Sequence, residues 1–146
     1  MLKKMLYTTD FSNDSRRALA LASALAAKHR AKLIIVHVAE TTVPVTVLPP
    51  AGATAALPPV VPTQDELLEK LSEFVPDDPI VAYEHALLRG VAGEEIVAFG
   101  RDTAIDLIVM STHGRSGLER FLLGSVAEYV VRHAASPVLT CNGEVH

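Results

Sequence analysis

Residues 106–134, DLIVMSTHGRSGLERFLLGSVAEYVVRHA, show most clearly which class of fold this chain adopts. This stretch opens on a short apolar run, residues 107–110, which is typical of a strand covered on both faces of a parallel sheet. A loop with several small residues follows, and a helix begins near Ser125 with apolar side chains at 127, 130, 131 and 134. A buried strand that leads through a loop into a helix is the repeating unit of α/β proteins.

The same alternation extends outward over the chain. An unbroken apolar run at 33–36 predicts a central strand, and the residues Ala18, Leu21, Ala22, Leu25 and Ala26 predict one buried helical face. Strands are predicted at 2–9, 32–39, 80–88, 106–110 and 137–140, with helices after the capping residues 12–14 and at 64–74, 93–102 and 125–134. We therefore expect a doubly wound, Rossmann-like α/β domain in which helices cover both faces of a five-stranded parallel sheet.

The segment 41–62 breaks this rhythm. It holds six of the nine prolines, and proline lacks the N–H group that a helix or a central strand requires. We interpret it as a loop insertion within a single domain spanning 1–146. A flexible insertion without chemistry of its own is the favoured interpretation, and a mobile cover or an interaction element is the alternative.

Composition narrows the class of protein. A chain of 146 residues with 49% apolar residues fits one soluble globular domain. The 13 basic residues are scattered and outnumbered by 17 acidic ones, so we expect no nucleic-acid partner. Cys141 is the only cysteine, and no apolar run has the length of a signal peptide or a membrane span. We expect a cytoplasmic protein without membrane contact, and no dedicated metal site.

A ligand is expected where parallel strands end. In open α/β sheets, ligands bind at the carboxyl ends of the strands, near the point where the winding direction reverses. For this chain those ends carry Thr9-Asp10, Val38-Ala39, Leu88-Arg89 and Met110-Ser111-Thr112.

The loop before the last helix has features of a phosphate site. Helix N-termini attract anions, and Gly114 and Gly124 lack the Cβ atoms that would hold an anion away. Ser125 adds a hydroxyl at the cap, and Arg115 is within reach of a terminal phosphate. From the glycines alone, turn geometry is an equally good explanation.

Three residues have alternative interpretations. Asp10 either meets a ligand or caps the first helix. His37, set in an apolar strand, is better interpreted as a hydrogen-bonded core histidine than as a ligand-binding group. His113 lies in the same loop, within reach of a ligand bound there, but the sequence offers no nucleophile for it to activate, so we assign no catalytic residue.

Across nearly its whole length the chain resembles the universal stress protein family. The resemblance is carried by LYTTDFS at 6–12, VHV at 36–38, GSVAEYVV at 124–131 and SPVL at 136–139. The ATP-binding branch has a signature of Gly, two residues, Gly, nine residues, then Gly followed by Ser or Thr. Here the spacing is kept through Gly114 and Gly124-Ser125, but Ser111 stands in place of the first glycine.

The resemblance implies a strand order of 3-2-1-4-5 and an adenine nucleotide as ligand. It implies that Asp10 holds the ribose hydroxyls, that the backbone of Val38 meets adenine, and that Ser111 lies against the ribose. It places the phosphates of ATP, or of AMP or ADP, at Gly114 and at Gly124-Ser125, with any Mg²⁺ carried by the phosphates. The full set of candidate nucleotide-binding residues is Thr9, Asp10, Val38, Met110, Ser111, His113, Gly114, Arg115, Gly124, Ser125 and Val126. The family also implies a homodimer formed through the last strand, at Val138 and Leu139.

Three functions remain open from the sequence. The first is a nucleotide-binding stress or signalling protein with little or no turnover. The second is an ATP-using enzyme, at most a slow hydrolase, because the Walker pattern Gly-Lys-Ser/Thr is absent. The third is a nucleotide-free dimeric interaction module, which the serine at 111 and the proline-rich insertion at 41–62 favour.

Overall fold

The computed structural model describes residues 1–41, 50–52, 60–112 and 123–142. Within these ranges strands and helices alternate, as the sequence predicts. The strands are β1 Lys4–Thr8, β2 Lys32–Glu40, β3 Tyr83–Gly90, β4 Leu107–Ser111 and β5 Val138–Cys141. The helices are α1 Asn13–His29, α2 Gln64–Ser72, α3 Ala92–Asp102 and α4 Ser125–His133.

The five strands form one parallel sheet in the order β3-β2-β1-β4-β5. β1 lies at the centre, where Leu6 is level with Ile34 of β2 and with Ile108 of β4. The winding direction reverses at β1, because the chain goes first to β2 and β3 and then returns to β4 and β5 on the other side. The predicted fold class and strand order are confirmed.

Helices cover both faces of the sheet and create two buried clusters. Met5 and Tyr7 of β1 point toward α1 and α2, whereas Leu6 points toward α3 and α4. Neighbouring strands alternate in the same way, with Ile35 in the first cluster and Ile34 in the second. A strand buried on both faces needs apolar residues at every position, which is why its sequence shows no alternation.

The buried face of α1 differs from the predicted one. Leu21 is 40% exposed, and Leu19 takes its place in the core at 6%. The residues of α1 that face the sheet include Ser15 and Ser23, each 1% exposed. The Ser15 hydroxyl is hydrogen-bonded to the hydroxyl of Thr9, and the Ser23 hydroxyl accepts the N–H of Asp78. Because two residues of the buried face of α1 are serines, a prediction based on apolar residues assigns the wrong face. On α4 the predicted burial of Val131 is also wrong, because its side chain is 46% exposed.

Most boundaries shift by one or two residues, and β3 shifts further. It begins at Tyr83 instead of 80, because Asp78 forms a turn in which its carboxylate accepts the N–H of Ile80 at 2.9 Å. Gly90 ends β3 with φ 137°, which confirms its predicted place at a turn. The Pro-rich segment lies largely at 42–49 and 53–59, outside the described residues. In the parts of the chain that the structure describes, no helix has the length and apolar character to cross a bilayer.

Asp106 fastens the start of β1 to the start of β4. Its Oδ2 accepts the backbone N–H groups of Lys3 at 2.8 Å and of Lys4 at 2.9 Å. These two hydrogen bonds lower the pKa of Asp106 below its ordinary value. Because the folded pKa is the lower one, the stabilising effect is complete above the unfolded pKa of about 3.9 and is lost as the pH falls through the folded pKa.

We therefore expect Asp106→Asn to melt below wild type at neutral pH, with the difference shrinking as the pH falls below about 4. Thermal unfolding followed by circular dichroism over this pH range measures the difference directly. An equal difference in Tm at neutral pH and at about pH 3 would contradict the role of the charge.

Candidate functional site

The loop after β1 is held by its own backbone and side chains. The N–H of Thr9 donates to the carbonyl of Val36 at 2.9 Å, and the Thr9 hydroxyl accepts the N–H of Phe11 at 2.9 Å. Asp10 Oδ1 accepts the N–H of Ser12 at 3.0 Å. The cap of α1 is Ser12, which accepts the N–H of Ser15. Asp10 therefore stabilises the turn before the helix and does not cap it.

A network of buried hydroxyl groups lies beneath this loop. Thr9 Oγ1 and Ser15 Oγ are 2.8 Å apart, and Ser15 Oγ donates to the carbonyl of Ser12 at 2.7 Å. The Tyr7 hydroxyl donates to the carbonyl of Ser15. Burial raises the pKa of Tyr7 to about 12, so this hydroxyl keeps its proton at neutral pH. The network fixes the chain on either side of Asp10.

The carboxyl edge of the sheet is stepped beside this loop, because β2 extends past the end of β1, and we call this step the notch. The pairing of β1 with β2 ends at Thr8 and Val36, whereas β2 continues along β3 as far as Glu40. Val38 lies in this extension, with its side chain 8% exposed and packed into the cluster that also holds Met110. Past the end of β1, the β1-facing side of the Val38 backbone borders the notch.

The two ends of the loop between β4 and α4, at Thr112 and Gly124, lie next to each other. The N–H of Gly124 donates to the carbonyl of Thr112 at 2.7 Å, which holds the start of α4 against the end of β4. Ser111 is level with Cys141 of β5, and the N–H of Thr112 donates to the Cys141 carbonyl at 2.9 Å. The two flanks of the loop are thereby fixed at the carboxyl edge of the sheet.

Gly124 is the N-cap of α4, with extended backbone at φ −58° and ψ 156°, and no described side chain caps the helix. Ser125 was expected at the cap and is instead the first helical residue. The reason is that the Gly124 carbonyl already accepts the N–H of Glu128, at 2.9 Å, as the first bond of the helix. The first N–H groups of α4 follow at Ser125 and Val126, and an anion is a suitable partner for such groups.

The structure brings most of the predicted site residues to one edge of the sheet. Because β1 and β4 are parallel neighbours, their ends lie side by side. The residues at this edge are Thr9, Asp10, Val38, Met110, Ser111, Gly124, Ser125 and Val126. His113, Gly114 and Arg115 lie outside the described residues. Over the described ranges, no group of three or more His, Cys, Asp or Glu side chains has the geometry of a metal site.

Two residues that shape the site are absent from the set predicted from the sequence. Ser15 lies under the Asp10 loop, and Phe11 stacks on His37 with ring centroids 4.0 Å apart. His37 is hydrogen-bonded, as predicted, through Nδ1 at 2.7 Å from the carbonyl of Thr9. A serine on the apolar face of α1 was the available signal for Ser15, whereas the pairing of Phe11 with His37 depends on the folded sheet.

Comparison with known proteins agrees with this architecture. The model of the universal stress protein family matches residues 1–142. A universal stress protein of Methanocaldococcus jannaschii is 34% identical over 140 residues, which cover 95% of this chain and 81% of that protein. The structure of universal stress protein UspA from Lactobacillus plantarum superposes with a TM-score of 0.70 at 25% identity, covering 95% of this chain and 97% of the other. The universal stress protein of Archaeoglobus fulgidus in complex with dAMP has a TM-score of 0.63 at 22% identity, with coverage of 96% and 97%. The chain belongs to the universal stress protein family.

Proposed function

We propose that this protein binds an adenine nucleotide, and that this nucleotide is primarily ATP. The protein then acts as a stress or signalling regulator whose shape or choice of partner depends on the bound nucleotide. One observation carries the proposal. The hydrogen bond from Gly124 to Thr112 holds the start of α4 beside the end of β4, next to the loop that carries Asp10. A nucleotide bound at this edge has backbone donors on one side and a carboxylate on the other.

The phosphates are assigned to the start of α4. The N–H groups of Ser125 and Val126 lie at the positive end of the helix dipole, whereas the N–H of Gly124 already donates to the carbonyl of Thr112. The dipole contributes only about 0.3 to 2 kcal/mol, whereas micromolar binding requires about 8 kcal/mol, so the nucleoside contacts supply most of the affinity. Gly114 and Arg115 are proposed as further phosphate contacts and His113 as a neighbour of the nucleotide, with Mg²⁺ arriving on the phosphates.

The nucleoside is assigned to the ends of β1 and β2. We propose that the Asp10 carboxylate accepts hydrogen bonds from the ribose hydroxyls and that the backbone of Val38 meets adenine in the notch. Thr9, Met110 and Ser111 complete the walls. The A. fulgidus relative in complex with dAMP supports an adenine nucleotide as the class of ligand.

Binding with little or no turnover is the expected behaviour. The sequence lacks the Walker lysine pattern, and we assign no base to activate water at the γ-phosphate. Isothermal titration calorimetry with ATP, AMP and GTP, followed by a steady-state phosphate-release assay, tests the proposal. We expect ATP binding, weaker or absent GTP binding, and at most slow release of phosphate. Absence of binding by any adenine nucleotide would contradict it.

Ser111 favours a second candidate function, a nucleotide-free interaction module. Its Cβ stands where the ATP-binding branch has glycine, at a position paired with Cys141 in the sheet. Mass spectrometry of small molecules released from the purified protein separates the two functions. An adenine nucleotide released in near-equal amount to protein supports the first, and protein that neither carries nor binds nucleotide supports the second.

We further propose a cytoplasmic homodimer formed through β5. β5 is an edge strand whose Val138 and Leu139 are only partly buried, and an open apolar edge invites pairing with a second copy. Sedimentation equilibrium is expected to give twice the mass of one chain at micromolar concentration. A single-chain mass at high concentration would contradict the dimer.

A further inference from the structure

His37 touches the Asp10 loop through both its nitrogen and its ring. Nδ1 lies 2.7 Å from the carbonyl oxygen of Thr9, and because a carbonyl can only accept, Nδ1 carries the proton and donates it. The imidazole stacks on Phe11 with centroids 4.0 Å apart and planes inclined by 26°. One side chain of β2 therefore contacts the residue before Asp10 and the residue after it.

Phe11 is in a conformation that requires such support. Its φ of 69° lies in the left-handed region, which is unfavourable for a bulky residue. Besides His37, its ring contacts Phe74 at 5.7 Å, and its N–H is held by the Thr9 hydroxyl. Strained residues persist when their surroundings fix them in several ways, and they concentrate at functional sites.

The hydrogen bond from His37 also lies at the point where the backbone pairing between β1 and β2 ends. β1 ends at Thr8, and the last backbone contact to β2 is the N–H of Thr9 on Val36. One residue further along β2, the His37 side chain continues that contact to the Thr9 carbonyl. The bond thus extends the connection between β1 and β2 to the residue directly before Asp10.

We propose that His37 is a positioning residue of the nucleotide site, which holds Thr9 and Phe11 so that the Asp10 carboxylate meets the ribose hydroxyls. This inference rests on the proposed function, and it assigns to His37 no contact with the nucleotide. It predicts that loss of the His37 hydrogen bond weakens recognition of the ribose specifically and leaves the contacts to phosphate and base in place.

Two variants of His37 separate its hydrogen bond to Thr9 from its stacking on Phe11, and His85 provides a matched control. His37→Phe keeps a ring for stacking but has no donor, whereas His37→Asn offers an amide N–H near the place of Nδ1. His85 lies on β3 and is half-buried, and its Nε2 is 2.7 Å from the carbonyl oxygen of Phe74. His85→Phe therefore removes an equivalent hydrogen bond. The control has a similar expected effect on stability, and its bond holds the backbone of Phe74, whose ring packs on Phe11, instead of the backbone of Thr9 directly before Asp10.

The measurements are the affinities for ATP and for 2′,3′-dideoxy-ATP, which lacks both ribose hydroxyls. We expect His37→Phe to bind ATP roughly five- to tenfold more weakly than wild type, as for loss of one hydrogen bond, and to bind dideoxy-ATP as wild type does. His37→Asn is expected to recover part of the preference for ATP, and His85→Phe to retain all of it. In an Asp10→Asn background, His37→Phe is expected to cause no further loss of ATP affinity.

Amide hydrogen exchange gives a second readout that needs no nucleotide. In His37→Phe the N–H groups of Phe11 and Ser12 are expected to exchange faster than in wild type, while those of the β-sheet core do not change. Equal losses for ATP and dideoxy-ATP, or unchanged exchange at Phe11 and Ser12, would overturn the positioning role alone. Wild-type protein that binds neither nucleotide would overturn the proposed function and this inference together.

Discussion

A Gly124→Val variant will fold as wild type does and lose its affinity for ATP. The backbone at Gly124, φ −58° and ψ 156°, is extended and open to any residue, and β-branched residues favour that region. The backbone angles therefore do not require glycine, and only the weaker preference for valine at an N-cap, about 1 kcal/mol, is expected to lower the stability. In the proposed complex, however, the added side chain stands among the first N–H groups of α4 and excludes the phosphates.

The expected loss of ATP affinity is about a hundredfold or more, which corresponds to at least about 2.7 kcal/mol. Calorimetry measures the loss, and circular dichroism and thermal melting check the fold. Ala135→Val is the matched control, because it adds the same branched side chain at an exposed position beyond the other end of α4. Affinity within a few-fold of wild type in Gly124→Val would remove α4 from the proposed site.

The second large effect is expected for Asp10→Asn. The amide oxygen of asparagine can still accept the N–H of Ser12, so the turn is retained. The other carboxylate oxygen is replaced by an NH₂ group, which cannot accept a hydrogen bond from a ribose hydroxyl. Hydrogen bonds to charged groups contribute about 1.5 to 3 kcal/mol, so ATP affinity is expected to fall by about 10- to 150-fold.

The control for this variant is Asp14→Asn, the same chemical change four residues later. Asp14 lies in the first turn of α1, its side chain is 38% exposed, and its Oδ1 is 3.9 Å from Nη1 of Arg17. It is expected to bind ATP as wild type does. A loss in Asp10→Asn that is equally large for dideoxy-ATP would show that the carboxylate supports the loop and does not contact ribose.

The apolar runs made the sheet predictable. An unbroken run at 33–36 marks a strand buried on both faces, and this strand lies at the predicted depth, with Leu33, Ile35 and Val36 fully buried. The alternation of strands and helices gave the parallel sheet through the handedness of βαβ crossovers. The strand order came from the resemblance to the family, because periodicity alone does not choose among the orders that crossovers allow.

Helical faces and boundaries were less predictable, for local physical reasons. The core row of α1 includes Ser15 and Ser23, whose hydroxyl groups are satisfied by partners distant in the sequence or specific to the fold. Leu21, although apolar, points outward. β3 starts late because Asp78 closes a turn through its side chain, a choice that competes with strand extension.

In the candidate site, the residues at the strand ends could be predicted from the sequence. The contacts that hold the Asp10 loop could not. Residues at the carboxyl ends of β1 and β4 come together because parallel neighbours share an edge. The left-handed backbone of Phe11 and its stacking on His37 join positions 26 apart in the sequence and require the finished sheet. A phenylalanine gives no sequence signal for a positive φ, unlike glycine.

A crystal structure of the protein grown with ATP tests the central claim most directly. We expect phosphate oxygens about 2.7–3.2 Å from the N–H groups at the start of α4, and a ribose hydroxyl hydrogen-bonded to the Asp10 carboxylate. ATP bound at another place, or no ATP at the carboxyl ends of β1 and β4 in crystals grown at saturating ATP, would contradict this assignment.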